Sequence, residues 1–244
     1  IVVNGAGASA VSCTRLYMML GAKKENIVMV DSKGVLNESR TNLTESKKQF
    51  VTSRKINTLE EAMKGADVFL GLSRADILTT EMVRSMNDKP IVFALANPNP
   101  EIAYDKAKSS RPDLIFATGR SDYPNQINNV LGFPYIFRGA LDVRATCINE
   151  EMKLAAVYAI ADLAKKPVPD VVNAAYNLKR ISFGPDYIIP KALDPRLLTS
   201  VAPAVAKAAI ESGVARKKIT DWVEYEGHLR SVMGYDNKMI RRFT

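Results

Sequence analysis

The sequence predicts an α/β protein, a doubly wound and mostly parallel sheet followed by a helical C-terminal tail. Three observations lead there. Between residues 1 and 119, short apolar runs alternate with segments of helical periodicity, the rhythm of successive strand–helix units. The runs are almost continuously apolar, as strands of a parallel sheet covered on both faces must be. The first of them, "IVVN", opens directly into "GAGASA", a glycine-rich turn at the head of a helix-periodic segment.

The elements follow in order. "IVVN" is a strand, Ala10 to Leu20 a helix, and "NIVMVD" the next strand. Gly21 stands where a helix ends in the left-handed conformation that glycine enters without steric cost. A polar loop and a short helix reach to about Phe50, and "TLEE" is a capping box in which Thr58 and Glu61 satisfy each other's backbone amides. "DVFLGLS", "PIVFALANP" and "DLIFATG" are strands, separated by helices in "TTEMVRSM" and "PEIAYDKAKSS". After Gly119 a long polar loop leads to "YIFRGALD", and helices dominate: Asn149 caps "EEMKLAAVYAIADLA", and "APAVAKAAIESG" is a second clear case. The Pro-containing stretches "KKPVPD" and "FGPDYIIP" are connections, and the change of character divides the chain into a sheet domain, residues 1–165, and a helical extension of it, 166–244.

Composition narrows the function. Of the 244 residues 47% are hydrophobic, enough for a sizeable core, and no apolar run approaches the roughly 20 residues of a membrane helix. Neither a membrane span nor a signal peptide is read. Lys and Arg number 34 against 26 Asp and Glu, a net charge of +8. The basic residues are spread along the chain, with only doublets such as Lys23 with Lys24, Lys47 with Lys48, and Arg241 with Arg242. No aromatic stacking platform interleaves them, so a solvated surface with some anion-binding positions is expected rather than a nucleic-acid partner. Cys13 and Cys147 have no spacing of a metal knuckle or disulfide framework, which points to a reducing, cytoplasmic compartment. The single His228, in "EYEGHLR", has no nucleophile or metal-like partner nearby and reads as a packing or surface residue.

The chemistry concentrates at strand ends. Gly5, Gly7 and Ala10 have the G-x-G-x-x-A spacing of a Rossmann-like turn: Gly5 permits the tight turn, Gly7 and Ala8 let the backbone approach a pyrophosphate, and Ala10 lets helix and strand pack closely. Asp31 ends the second strand, where an acidic side chain reaches a ribose. Ser32, Lys33, and Lys47 or Lys48 add the donors and positive charge that a 2′-phosphate needs, so NADP is expected, with NAD as the alternative if these lysines are merely surface residues. Asn97 ends a later strand, and Arg120, Asp122, Asn125, Gln126, Asn128 and Asn129 crowd one loop. Such carboxamides suit a small polyanionic substrate or the nicotinamide carboxamide, or else satisfy the loop's own backbone.

The stretches "VNGAGASA", "VDSKG", "FALANPNPEI", "TGRSDYPNQINNVLGFPYIFRGALDVRA", "INEEMKLAA" and "FGPDYIIPKALDPRLL" resemble the cofactor-binding domain of malic enzymes over nearly the whole chain. The resemblance implies oxidation of malate by hydride transfer to NADP, decarboxylation assisted by Mg2+ or Mn2+, and release of pyruvate, in a homodimer. It implies that Asn97 and Asn129, with Asn128 beside them, contact the substrate or the nicotinamide. Gly5, Gly7, Ala8 and Ala10 would hold the pyrophosphate; Asp31, Ser32 and Lys33 would hold the ribose, with Lys47 or Lys48 selecting the phosphate. In that family the catalytic tyrosine and lysine and the metal ligands precede the glycine motif. No catalytic or metal-binding residue is therefore assigned here, the N-terminal malic domain is expected to be absent from this chain, and the 244 residues alone are expected to be inactive. A noncatalytic dinucleotide-binding module and a malolactic-type enzyme that retains NAD are the competing readings.

Overall fold

The computed structural model describes residues 1–232, and the Arg241 and Arg242 doublet lies outside the described residues. By contact the chain divides into two compact units, Ile1–Ile127 and Asn128–Thr244. The first holds a six-stranded sheet of β1 (Val2–Asn4), β2 (Val28–Asp31), β3 (Gly34–Val35), β4 (Val68–Gly71), β5 (Ile91–Ala94) and β6 (Ile115–Thr118) in the order β3-β2-β1-β4-β5-β6. All neighbours pair in parallel except β2 and β3, which form an antiparallel edge hairpin with Asp31 opposite Gly34. The chain runs outward from β1 to β2, then returns past it to β4, so the sequence order reverses between β1 and β4. A crevice opens beyond the carboxyl ends of the strands at such a reversal.

The helices of this unit are α1 (Ala8–Met19), α2 (Glu45–Lys48), α3 (Leu59–Met63), α4 (Thr80–Arg84) and α5 (Tyr104–Ser110). They cover both faces, and alternate strand residues divide accordingly. Val2, Val28, Phe69, Val92 and Phe116 pack with Leu59, Met63, Val83 and Ala107 from α3, α4 and α5. Val3, Met29 and Leu70 turn the other way, onto Ala10 and Val11 of α1 and onto Phe50. The C-terminal end of α1 is set by local chemistry. At its end Gly21, at φ +103, donates to the Met18 carbonyl, and Ala22 donates back to Tyr17, the paired bonds of a Schellman turn. The capping box at α3 is formed as the sequence requires: the Thr58 hydroxyl accepts from the Glu61 amide, and the Glu61 carboxylate accepts from the Thr58 amide.

The second unit is helical: α6 (Phe133–Asp142), α7 (Glu150–Lys165), α8 (Asp170–Ala175), α9 (Arg196–Glu211) and α10 (Trp222–Val232). Helix α9 is its centre, with Leu197, Val201, Val205 and Ala209 buried against Leu131, Val143, Met152 and Leu163. At the α6 crossing a side chain on Gly139 would collide with the Ala202 carbonyl oxygen and lie 2.9 Å from Val205 Cβ, so only glycine allows this approach. The contacts therefore divide at Ile127, earlier than the expected change at residue 165, because α6 and α7 share a core with α9. Trp222 also packs on this core and meets Tyr225 edge-on at 6.0 Å.

Asn149 caps α7, its side chain accepting from the Met152 amide at 3.1 Å, and its amide group also donates to Ser212 Oγ at 2.9 Å. Asn149→Ala is expected to destabilise the helical unit by about 1 kcal/mol, with Asn149→Asp retaining the cap. Urea unfolding followed by the fluorescence of Trp222 checks this.

Candidate functional site

The carboxyl ends of β1, β2 and β4 enclose a cleft of about 620 Å3. Its floor is the β1–α1 turn. Gly5 has φ +123, a Cβ there would stand 2.5 Å from the Leu72 carbonyl oxygen, and its amide donates to Val30 at 2.8 Å. The turn is thus held between both neighbours of β1, and glycine is required on conformational and spatial grounds together. Gly7 is different: it lines the cleft, and a Cβ on it would meet nothing within 4 Å. Gly7 and Ala8 are exposed at the start of α1, which has no side-chain cap, so the first amides of the helix face solvent with the positive end of its dipole. Ala10, 1% exposed, is packed between α1 and the sheet, where a larger side chain would separate them. All four glycine-motif positions of the sequence reading therefore lie at this turn.

The opposite wall is charged. Ser32 and Lys33 form the two-residue tip of the β2–β3 hairpin and line the cleft. The hairpin was not legible from hydrophobic periodicity, because β3 has only two residues; its signal was the turn chemistry of "DSKG". Asp31 steadies the tip by accepting from the Lys33 amide at 2.9 Å. Its carboxylate, 8% exposed, is also gripped by Arg40 through both oxygens, each at 3.2 Å, and by Lys47 Nζ at 2.8 Å. Burial tends to raise the Asp31 pKa, but the hydrogen bonds from Arg40, Lys47 and Lys33 overcome it and hold the carboxyl at about 2.

The structure also separates Lys47 from Lys48. Successive residues of α2 point about 100° apart, so only one of them faces Asp31. Lys47 does so and lines the cleft, while Lys48 turns outward to Glu45 Oε1 at 2.6 Å. Arg40 is the member that sequence reading missed; its only signal was a cation in the loop after an acidic strand end. Arg74, in the loop after β4, was missed too: it lines the cleft, and its guanidinium has no partner among the described residues.

The carboxamide positions fall in both units. Asn97 lies exposed beyond β5, its Oδ1 3.3 Å from where a Cβ on Gly119 would stand. Asn128 and Asn129 belong to the helical unit and are exposed there. Asn128 caps the short helical turn Asn129–Leu131 by accepting from the Val130 amide at 3.0 Å, whereas the Asn129 carboxamide has no partner among the described residues. Asn125 is buried and donates to the Phe116 carbonyl, so this carboxamide of the polar loop satisfies strand backbone in β6. Arg120 and Asp122 pair with each other on the surface. His228 is exposed on α10, and burial raises the Cys13 thiol pKa. No group of three or more His, Cys, Asp or Glu able to hold a metal ion is found among the described residues, and no helix among them is long and apolar enough to cross a membrane.

Two substitutions separate the roles of the turn. Gly5→Ala is expected to destabilise the sheet unit by at least ~2 kcal/mol through its positive φ and the Leu72 contact. Gly7→Ala is expected to change stability by less than about 1 kcal/mol while weakening ligand binding in the cleft. Urea midpoints and dinucleotide titrations check the pair. The low Asp31 pKa adds stability above pH 4 that is lost as pH falls towards 2. Asp31→Asn should remove that part of the acid dependence, measured as unfolding midpoints between those pH values.

Comparison with known proteins places this geometry. The family model described as "Malic enzyme, NAD binding domain" matches residues 1–183. The chain is 57% identical over 217 residues to a protein of Halomonas elongata named NADP-dependent malic enzyme, covering 89% of this chain and 51% of that protein. A protein of the same name from Escherichia coli is 56% identical over 227 residues, covering 92% of this chain and 30% of its own length. The crystal structure of Entamoeba histolytica malic enzyme superposes with a TM-score of 0.81 at 36% identity, over 96% of this chain and 49% of that one. The chain thus spans about half or less of the proteins it matches.

Proposed function

Because this chain belongs to the malic enzymes, as the NAD-binding domain of that family, we propose that it is the cofactor-binding part of an NADP-dependent enzyme that oxidises malate and decarboxylates it to pyruvate. The observation that carries the choice of NADP is the group of cations beside the glycine turn. Lys33, Arg40 and Lys47 gather about a single carboxylate, Asp31, so the adenosine end of the cleft keeps an excess of positive charge after both ion pairs are counted. A 2′-phosphate is matched by that excess, and Lys47 and Arg40 are already held at the ribose position. The names of the two curated relatives described above agree with this reading.

The residues of the chain do the work of binding and orientation. The open amides at Gly7 and Ala8 take the pyrophosphate, with the α1 dipole behind them. Gly5 sets the distance of that turn from β4, and Ala10 the depth of the helix. Asp31, Ser32 and Lys33 fix the ribose, and Lys47 selects the phosphate. The bound dinucleotide supplies a hydride acceptor for the substrate carbon. In the sheet unit Asn97 is the carboxamide assigned to the nicotinamide or the substrate; in the helical unit that assignment falls to Asn129, on the turn that Asn128 caps. The Mg2+ or Mn2+ that the family resemblance implies finds no fitting cluster among the described residues.

The reading extends to a homodimer and to a reducing, cytoplasmic location. Phe133, Phe137 and Leu141 support the first: they form an exposed apolar stripe at helical spacing on α6, with Leu141 69% exposed. Two unpaired cysteines support the second.

Calorimetric titration of the 244-residue chain with NADP and NAD, alongside an assay of NADPH formation with malate and Mn2+, tests the proposal. NADP binding tighter than NAD without turnover is the expected result; failure to bind either dinucleotide overturns it, and lactate formation with retained NAD would replace it by a malolactic reaction. Lys47→Ala is expected to lower the NADP-over-NAD preference at least about tenfold, while Lys48→Ala leaves it within about twofold.

A further inference from the structure

One buried carboxylate lies outside every role assigned above. Glu101 is fully buried, with 0% exposure, just past β5. Its two oxygens accept from the backbone of two different loops: Oε1 from the Ser73 amide at 3.2 Å, after β4, and Oε2 from the Ala96 amide at 3.0 Å, after β5. The main chain at the same point repeats the linkage. The Glu101 carbonyl accepts from the Leu78 amide at 3.0 Å, and the Pro100 carbonyl from Asp76 at 3.2 Å. Gly71 makes the space: a Cβ there would overlap the carboxyl carbon and stand 2.5 and 2.7 Å from the two oxygens. Ser73 passes the connection on, its hydroxyl accepting from Asn4 Nδ2 at 2.6 Å at the end of β1.

Reading that cleft as the dinucleotide site, we propose that Glu101 is a positioning residue for the reaction, clamping the cleft wall of Ser73 and Arg74 to the strand end that carries Asn97. A carboxylate is the side chain this geometry needs, because it presents two acceptor oxygens to two amides, whereas a glutamine presents one and turns a donor against the other. An apolar residue would leave both amides buried and unsatisfied. No cation pairs with it among the described residues. The Asp31 wall belongs to other elements, β2 and α2, and is not tied to the clamp. Losing the clamp therefore loosens the middle of the site and leaves the adenosine end in place.

The test uses Glu101→Gln in the 244-residue chain, titrated with NADPH and with adenosine 2′,5′-bisphosphate. The expected result is an NADPH affinity about tenfold weaker with the bisphosphate affinity kept within about twofold. Unchanged NADPH affinity overturns the proposal. Equal weakening of both ligands, in step with a lower Tm, overturns it as well and leaves Glu101 a structural residue only. Should wild-type chain bind neither ligand, the dinucleotide reading fails rather than the clamp. Amide hydrogen exchange then decides the clamp in the wild-type chain: strong protection of both Ser73 and Ala96 supports it, and exchange at free-peptide rates overturns it, which also covers a Glu101→Gln chain that does not fold.

Discussion

Everything at the carboxyl end of the sheet depends on how closely Gly5 approaches its neighbours. Its amide is bonded to Val30 of β2, and its α-carbon lies against the Leu72 carbonyl beyond β4. A chain that leaves the middle of a parallel sheet must turn within the width of one strand spacing, and here the turn is braced from both sides. That contact fixes where α1 begins, and the start of α1 fixes where its free amides lie. The cleft is the space left over when β2 and β4 continue past the point at which β1 has turned away.

The two walls of the cleft are stabilised by different physics. On the β2 side, charge holds the geometry: Asp31 collects Arg40, Lys47 and the Lys33 amide in a short hairpin. On the β4 side the geometry is held by hydrogen bonds to backbone amides from one deeply buried carboxylate, with Gly71 empty to receive it.

What the sequence makes legible follows from the range of the interactions involved. Apolar periodicity is local, and it located β1, β2, β4, β5, β6 and the long helices. The glycine motif and the caps at Thr58 and Asn149 are also local, since donor and acceptor lie within three residues. Arg40 and Glu101 were not legible, because their partners Asp31 and Ser73 lie 9 and 28 residues away and only the folded chain brings them close. Lys47 and Lys48 were indistinguishable as letters and became distinct only when α2 gave them different directions. The division at Ile127 escaped for a related reason: helical periodicity marks a buried face but does not say which helix will cover it, and α6 and α7 find α9, which starts 63 and 46 residues after they do.

The Asp31 cluster has one more consequence, for the entropy of recognition. Lysine and arginine side chains normally give up much rotational freedom when they close on an anion, which offsets part of the attraction. Here Arg40 and Lys47 are only 20% and 27% exposed and are tethered to Asp31 before any ligand arrives. Their freedom is surrendered during folding. A ligand entering the cleft meets cations already aimed, and its selectivity reflects the exchange of one anionic partner for another rather than the capture of mobile side chains.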